Sequence, residues 1–210
     1  MNQLPPDELQ PLLAYLETTE AKLLATVQVE QLNQSPPDGG WSPGQVLAHL
    51  IRAEQYFYPL FAWLPKLANA RSLVCGLDWL NVRLCKLAGM GFVSLGDQPD
   101  KSGGALRQFT PQFRGRFLAP AFLKPGRKQY DWQDLLDARA RTRARTLAAV
   151  RRAKLWQLQT VRFSHPELGP LSLLEFVLFL GKHEEWHTAQ LKRIALQLEP
   201  KQKNAGVSAA

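Results

Sequence analysis

The clearest hydrophobic pattern in the chain lies in residues 172–198. Ser172 with Glu175 forms a capping box at its start, and Pro200 follows its end. Between them, apolar side chains recur every three or four residues, which places them on one face of a helix. This stripe is formed by Leu173, Phe176, Leu180, Leu191, Ile194 and Leu198. The pattern predicts a long helix whose apolar face packs against a core.

A second capped helix is predicted upstream. Residues 42–45 combine a serine cap, a proline at the first helical position and a glutamine that closes a capping box. An apolar stripe follows, with Val46, Ala53, Phe57 and Leu60. We expect this helix to end at about Ala62, before Pro65, with Pro59 as a kink or an early stop.

Two further helices complete the prediction. One covers about residues 7–32, and the other covers about residues 132–156 and is capped by Asp131. No strand-like alternation stands out against these four segments. The sequence therefore predicts an all-α four-helix bundle in a single domain of residues 1–200, with 201–210 as a flexible tail.

The segment 66–130 is the unusual part of the predicted fold. It lies between the second and third helices and reads as a helical insertion or a long crossover. Residues 68–88 carry helical apolar spacing, 89–104 are rich in glycine, and the rest mixes aromatic with cationic side chains, as in Phe109, Arg114, Arg116 and Phe117. Because it directly follows the second helix, we expect it to help wall any site built on that helix.

Three of the four histidines fall on the predicted core-facing stripes. His183 and His187 are four residues apart, so they share one face of the last helix at about 6 Å spacing along its axis. His49 belongs to the stripe of the second helix at a comparable depth. A metal ion can take two imidazoles from one helix and a third from its neighbour, with a coordination position left open. The alternative is that each imidazole is a core side chain bonded to a carbonyl group.

Three motifs resemble the DinB/YfiT-like superfamily of metalloenzymes, in its DinB-like branch. They are Trp-Ser-Pro-Gly-Gln-Val-Leu-Ala-His-Leu at residues 41–50, Phe-Ser-His-Pro-Glu-Leu-Gly at 163–169, and His-Glu-Glu-Trp-His-Thr-Ala-Gln-Leu at 183–191. They occur in the order that the family has, and the resemblance spans roughly residues 7–198. The combination is more specific than any one of the three.

The resemblance implies a four-helix bundle that binds one divalent metal through three histidines, which map to His49, His183 and His187. Imidazole ligands suit zinc, nickel or iron, so the identity of the metal stays open. Relatives include transferases and isomerases that work with low-molecular-weight thiols. The resemblance thus implies a small-molecule substrate and a thiol-dependent transferase or a hydrolase, with water or thiol activated by the metal. The chain departs from the family at residues 66–130, so relatives' substrates are not carried over.

The last helix also fits the H-E-x-x-H pattern of zinc proteases, in which Glu184 would be the general base. The remaining protease ligand is missing. An extended ligand set needs histidine at position 193, where Arg193 stands, and Glu199 lies at the helix end beside Pro200. We therefore expect Glu184 to support an imidazole from outside the ligand sphere or to be solvated.

The charge balance adds a third functional class. The chain has 26 basic and 18 acidic residues, a net charge of +8, which can attract nucleic acid or small anions. Basic residues are dense in the third helix, where a solvated face is the first interpretation and an anion or nucleic-acid surface the second. These residues are Arg139, Arg141, Arg143, Arg145, Arg151 and Arg152. No nucleic-acid motif accompanies them, so this class ranks behind a metal-dependent enzyme and a metal-binding bundle without turnover.

Three features of the sequence bear on the cellular compartment. The N-terminus lacks a basic start with an apolar signal core, and the apolar stretch 171–180 is too short to span a bilayer. Cys75 and Cys85 do not form a disulfide framework. We expect a cytoplasmic protein without a membrane partner, and the oligomeric state, a homodimer included, stays open.

Overall fold

The computed structural model describes residues 6–68, 93–94, 119, 121–165 and 169–199. The predicted insertion helix, both cysteines, the aromatic and cationic stretch around Phe109 to Phe117, and the tail 201–210 lie outside the described residues. The described part is mostly helical, as the sequence predicts. Within it, no helix is both long enough and apolar enough to span a membrane.

Five α-helices are formed in the described part of the chain, and four of them are long. In chain order they are α1 (Pro6–Ala25), α2 (Pro43–Ala68), α3 (Trp132–Arg152), the short α4 (Leu155–Thr160) and α5 (Leu173–Leu198). Single 3₁₀ turns are present at Val29–Gln31 and Ala121–Leu123.

A small antiparallel sheet, which the sequence analysis did not predict, leads into the last helix. Its strands are β1 (Val93–Ser94), β2 (Arg162–His165) and β3 (Gly169–Ser172), in the order β1-β2-β3. Phe163 pairs with Leu171 and His165 with Gly169. Strands of two to four residues are too short to show a period of two in a sequence, which is why the pattern gave no sign of them.

The predicted caps of α2, α3 and α5 are confirmed. The Ser172 hydroxyl accepts from the Glu175 backbone at 3.1 Å, and the Glu175 carboxylate accepts from the Ser172 backbone at 2.7 Å. Ser42 and Gln45 form the same reciprocal pair at 3.3 and 3.0 Å. The Asp131 carboxylate accepts from the backbone N–H three residues later at 2.9 Å. These bonds satisfy N–H groups that a helix start leaves free.

The predicted end of the second helix is wrong. Helix α2 continues past Pro59 and Pro65 to Ala68. Pro59 lies on the exposed face, where water can bind the carbonyl group that loses its helical partner. Beyond it, the Phe61 side chain is 2% exposed and packs on Phe176, with ring centroids 5.6 Å apart. We attribute the continuation of the helix past Pro59 to this burial.

Two other helix ends also differ from the prediction. Helix α1 ends at Ala25, and the chain then turns through the 3₁₀ segment Val29–Gln31 instead of remaining helical to residue 32. Helix α3 ends at Arg152 because Ala153 adopts an extended conformation (φ −74°, ψ 148°). Helix ends of this kind depend on contacts beyond the local sequence.

The long helices pack in pairs around two clusters of buried side chains. Helix α1 packs on α5, and α2 packs on both α3 and α5. One cluster surrounds Phe176 and Leu180, and the other includes Val46 of α2 with Leu191 and Ile194 of α5. The stripe of α5 therefore contributes to both clusters, and His183 and His187 lie on this helix between the two.

Helices α1 and α5 approach closely at Gly181, which gives a testable prediction. A Cβ atom added at Gly181 would overlap the Tyr15 ring, whose Cδ1 would lie 2.9 Å away. We expect Gly181→Ala to lower the free energy of unfolding by about 1–3 kcal/mol, although alanine favours a helix more than glycine does. Urea unfolding measures this. The cost should disappear in a Tyr15→Ala background, and an equal cost in both backgrounds would contradict the explanation.

Candidate metal centre

The structure brings His49, His183 and His187 together, as the sequence predicts. The His49 ring centroid lies 5.3 Å from that of His183 and 5.1 Å from that of His187. The two rings of α5 are 4.6 Å apart, with their Nε2 atoms separated by 3.0 Å. Each residue offers one ring nitrogen, and these three nitrogens all lie within 4.8 Å of one another.

The geometry follows from the helices that carry the three side chains. A step of four residues puts His183 and His187 on one face of α5, and the packing of α2 on α5 places His49 opposite them. His49 and His187 are buried, with 5% and 1% of their surface exposed. His183 is partly exposed, so the group meets solvent on the side of this ring.

Hydrogen bonds to Nδ1 position the rings of His49 and His187. His49 Nδ1 donates to the Leu123 carbonyl at 3.0 Å, and His187 Nδ1 donates to Gln190 Oε1 at 2.7 Å. Arg52 ties the loop after Leu123 to α2 through a bond to the Lys124 carbonyl at 2.6 Å. Leu123 belongs to the segment 66–130, so the end of the predicted insertion contacts the site.

Aromatic side chains surround the histidines. Phe179 stacks on His183 with centroids 5.4 Å apart and an angle of 14° between the rings. Trp41 lies 5.1 Å from His49, and Trp186 lies 4.6 Å from His187, measured between ring centroids. The two tryptophans help to shield His49 and His187 from water, whereas His183 remains partly exposed. The two tryptophans are also natural fluorescent reporters of any ion bound there.

The buried imidazoles are held neutral. Burial lowers the pKa of His49 below its usual value, against the opposing effect of the Leu123 carbonyl. Burial also lowers the pKa of His187, to about 3, with a further decrease from the nearby His49 and an opposing effect of Gln190. Neutral imidazole is the form that binds metal ions. At neutral pH both side chains are thus in the ligating state.

This depressed pKa predicts how the metal-free protein responds to acid. An unfolded histidine has a pKa of about 6.5, whereas folded His187 has a pKa of about 3. Between these two pH values, the unfolded chain therefore binds a proton at this residue that the folded chain does not bind. The stability contributed by neutral His187 is present above pH 6.5 and is lost as the pH falls toward 3, by at most about 1.4 kcal/mol per pH unit.

Urea unfolding in the presence of a chelator, between about pH 7.5 and pH 4.5, measures this loss. His187→Gln keeps a polar side chain but does not titrate, so its stability should fall less over the same interval. Carboxylates titrate in both proteins, and the difference between the two profiles isolates the histidine. Identical profiles would show that His187 is not kept neutral by the fold.

In the described part of the chain, Glu184 is neither solvated nor hydrogen-bonded to a histidine ring, which were the two roles expected from the sequence. Its side chain is 2% exposed, and one carboxylate oxygen accepts from the Nη2 atoms of both Arg139 and Arg143. The other oxygen accepts from the Thr19 hydroxyl at 2.5 Å. Burial raises the pKa of Glu184 and the two guanidinium groups oppose that rise. Glu184 is therefore an ion-pair partner of α3, which excludes the protease-like role of a general base.

The prediction of a solvated arginine face is wrong for two residues of α3. Arg139 also pairs with Glu20 at 2.6 Å and with Glu54 at 2.8 Å, and Arg143 pairs with Glu54 at 3.1 Å. Both arginine side chains are only 4–5% exposed. Burial alone lowers the pKa of Arg139, but the surrounding carboxylates raise it above its usual value. We call these four side chains, together with Glu184, the buried ion cluster.

A sequence signal for this cluster was available. Arg139 and Arg143 continue a four-residue step that starts at Leu135 and ends at Leu147, and both leucines are buried. An arginine within an apolar stripe is a candidate for burial with an acidic partner. By contrast, Arg141 lies off that step and is exposed.

Fold and site together define a helical protein with a partly buried group of three histidines that can hold a metal ion. A family model described as the DinB superfamily matches residues 13–191. The match covers most of the chain, which therefore belongs to the DinB superfamily. No curated protein matched the chain, and no solved structure matched it either.

Proposed function

We propose that this chain binds one divalent metal ion through His49, His183 and His187. The observation that carries the proposal is the convergence of three ring nitrogens within 4.8 Å of one another. Burial keeps two of these imidazoles neutral, and a neutral nitrogen is the donor that zinc, nickel and iron accept. We also propose that the four long helices form a DinB-type bundle in one domain, with residues 66–130 as an insertion.

We further propose that the metal centre is catalytic and acts on a small molecule, such as a low-molecular-weight thiol, as a transferase or a hydrolase. A divalent ion held by three neutral ligands keeps its full charge and would supply Lewis acidity that lowers the pKa of a water or a thiol. No fourth His, Cys, Asp or Glu joins the group in the described part of the chain. An approach past the partly exposed His183 supports access for a substrate.

A metal-binding bundle without turnover is the second candidate. It is favoured by the absence of a carboxylate from the histidine group in the described ranges, and by the sequestration of Glu184 between two arginines. Nucleic-acid binding is disfavoured, because Arg139 and Arg143 point into the protein and leave a smaller basic face on α3.

The first experiment measures the metal. The purified protein is analysed for its element content, stripped with a chelator and titrated with Zn²⁺, Ni²⁺ and Fe²⁺, while fluorescence of the tryptophans near His49 and His187 reports binding. The double variant His49→Ala/His187→Ala is the blank. We expect one ion per wild-type chain and none in the blank. Equal metal content in both proteins would refute the proposed ligand set.

The second experiment distinguishes enzyme from binder. Metal-loaded protein is incubated with a low-molecular-weight thiol and an electrophile, and loss of free thiol is followed against the double variant. A rate that requires both the metal and the histidines supports a thiol transferase. An ester is offered in parallel as a probe for hydrolase activity. A protein that binds one metal ion per chain but turns over neither the thiol nor the ester would instead support the bundle without turnover.

A further inference from the structure

Gln190 lies one turn after His187 on α5. Its side chain forms a hydrogen bond with His187 Nδ1, whereas His187 Nε2 faces His183. The Gln190 Oε1 atom lies 2.7 Å from His187 Nδ1. An amide oxygen only accepts hydrogen bonds, so the ring must carry its proton on Nδ1. The lone pair of the neutral ring is then on Nε2, the atom that lies 3.0 Å from His183 Nε2.

The same arrangement occurs at His49, with a different acceptor. The Leu123 carbonyl lies 3.0 Å from His49 Nδ1 and can only accept, so this ring also carries its proton on Nδ1. Two rings from different helices are thus set in the same tautomer by oxygens outside the histidine group. The acceptor at His49 belongs to the backbone, whereas the acceptor at His187 is a side chain that mutation can remove.

We propose that Gln190 is a positioning residue of the metal centre, which fixes the tautomer and the orientation of His187 so that Nε2 is offered to the ion. This inference rests on the proposed metal binding. An oxygen behind a ligating imidazole also makes the ring a better donor, and removal of such a partner typically lowers metal affinity about 10- to 100-fold.

The test compares three variants of the full chain. Gln190→Leu removes the acceptor at similar side-chain size, and Gln190→Glu keeps an oxygen in its place. Gln197→Leu is the matched control: it makes the same substitution two turns later on α5, where the side chain is exposed and makes only a 3.4 Å contact with Asp38. Zn²⁺ affinity is measured by competition with a chelating dye, and the Co²⁺ absorption spectrum reports the geometry of the ligands.

We expect Gln190→Leu to bind Zn²⁺ about 10- to 100-fold more weakly than the wild type, Gln190→Glu to regain most of that loss, and Gln197→Leu to bind as the wild type does. The melting temperature of each metal-free variant is the check on a merely structural role. If Gln190→Leu binds normally, or if Gln190→Glu fails to recover affinity at unchanged stability, the proposal is wrong.

A measurement without metal separates this inference from the proposed function. Heteronuclear NMR of the imidazole nitrogens should show His187 protonated on Nδ1 in the wild type and a mixture of tautomers in Gln190→Leu. An unchanged tautomer in the variant would overturn the role of Gln190 whatever the metal does. A wild type that binds no metal while the tautomer shifts as expected would overturn the metal centre instead.

Discussion

Glu184→Ala is expected to destabilise the protein by about 3–5 kcal/mol, which is the typical cost of removing one partner from a buried ion pair. The Glu184 side chain is 2% exposed, and its carboxylate accepts from two arginines and from Thr19. Without it, the guanidinium groups of Arg139 and Arg143 lose an acceptor in a region that water does not reach. Urea or thermal unfolding of the metal-free protein measures the loss.

The neighbouring residue provides the matched control. Glu185 pairs with Lys182 at 3.0 Å, and both side chains are about one third exposed, at 29% and 32%. Its replacement by alanine should cost less than about 1 kcal/mol, because partly exposed pairs are screened by solvent. Similar small effects at both positions would show that the buried ion cluster does not stabilise the fold. A loss of turnover at unchanged stability in Glu184→Gln would restore the general-base role that the structure excludes.

His187→Ala should abolish metal binding yet leave the fold intact, whereas Phe176→Ala should do the reverse. Loss of a direct ligand should weaken binding by more than the roughly 10- to 100-fold that an outer partner costs. Phe176 is fully buried against Phe57, Phe61 and Phe179, with ring centroids 4.7, 5.6 and 5.3 Å away. Its truncation to alanine should cost about 3–5 kcal/mol.

Metal titration and thermal unfolding of both variants check this pair of expectations. The Phe176→Ala protein should have the lower melting temperature but keep its metal. The two apolar clusters between the helices do not include the histidines, so chelation should lower the melting temperature without unfolding the chain. Complete unfolding on chelation would identify a structural metal and remove the argument for a catalytic one.

The sequence predicted well those features that depend on near neighbours in the chain. Capping boxes such as Ser172 with Glu175 join residues three apart, and the stripe of α5 follows from helical periodicity, so both were correct. The shared face of His183 and His187 has the same origin. The meeting with His49 could be inferred because two apolar stripes must pack on one another, and each stripe contains its histidine.

Features that depend on distant segments were missed or wrong. Helix α2 continues past Pro59, which we attribute to the burial of Phe61 on Phe176, a residue of another helix. The burial of Arg143 required an acidic partner on α2 and another on α5, in Glu54 and Glu184. No periodicity within α3 indicates which acids will face it.

By itself the sequence determined which residues share a helix face, because backbone geometry and capping bonds act over three or four residues. It thereby placed three histidines on core-facing stripes. Only the tertiary structure decided which oxygen accepts a hydrogen bond from His49 and which charged side chains are buried. The Leu123 carbonyl contacts His49 across 74 positions of the chain, and Arg139 contacts Glu184 across 45. Contacts over such separations arise from the packing of whole helices, in which burial of apolar surface selects the neighbours and polar groups must find partners within that arrangement.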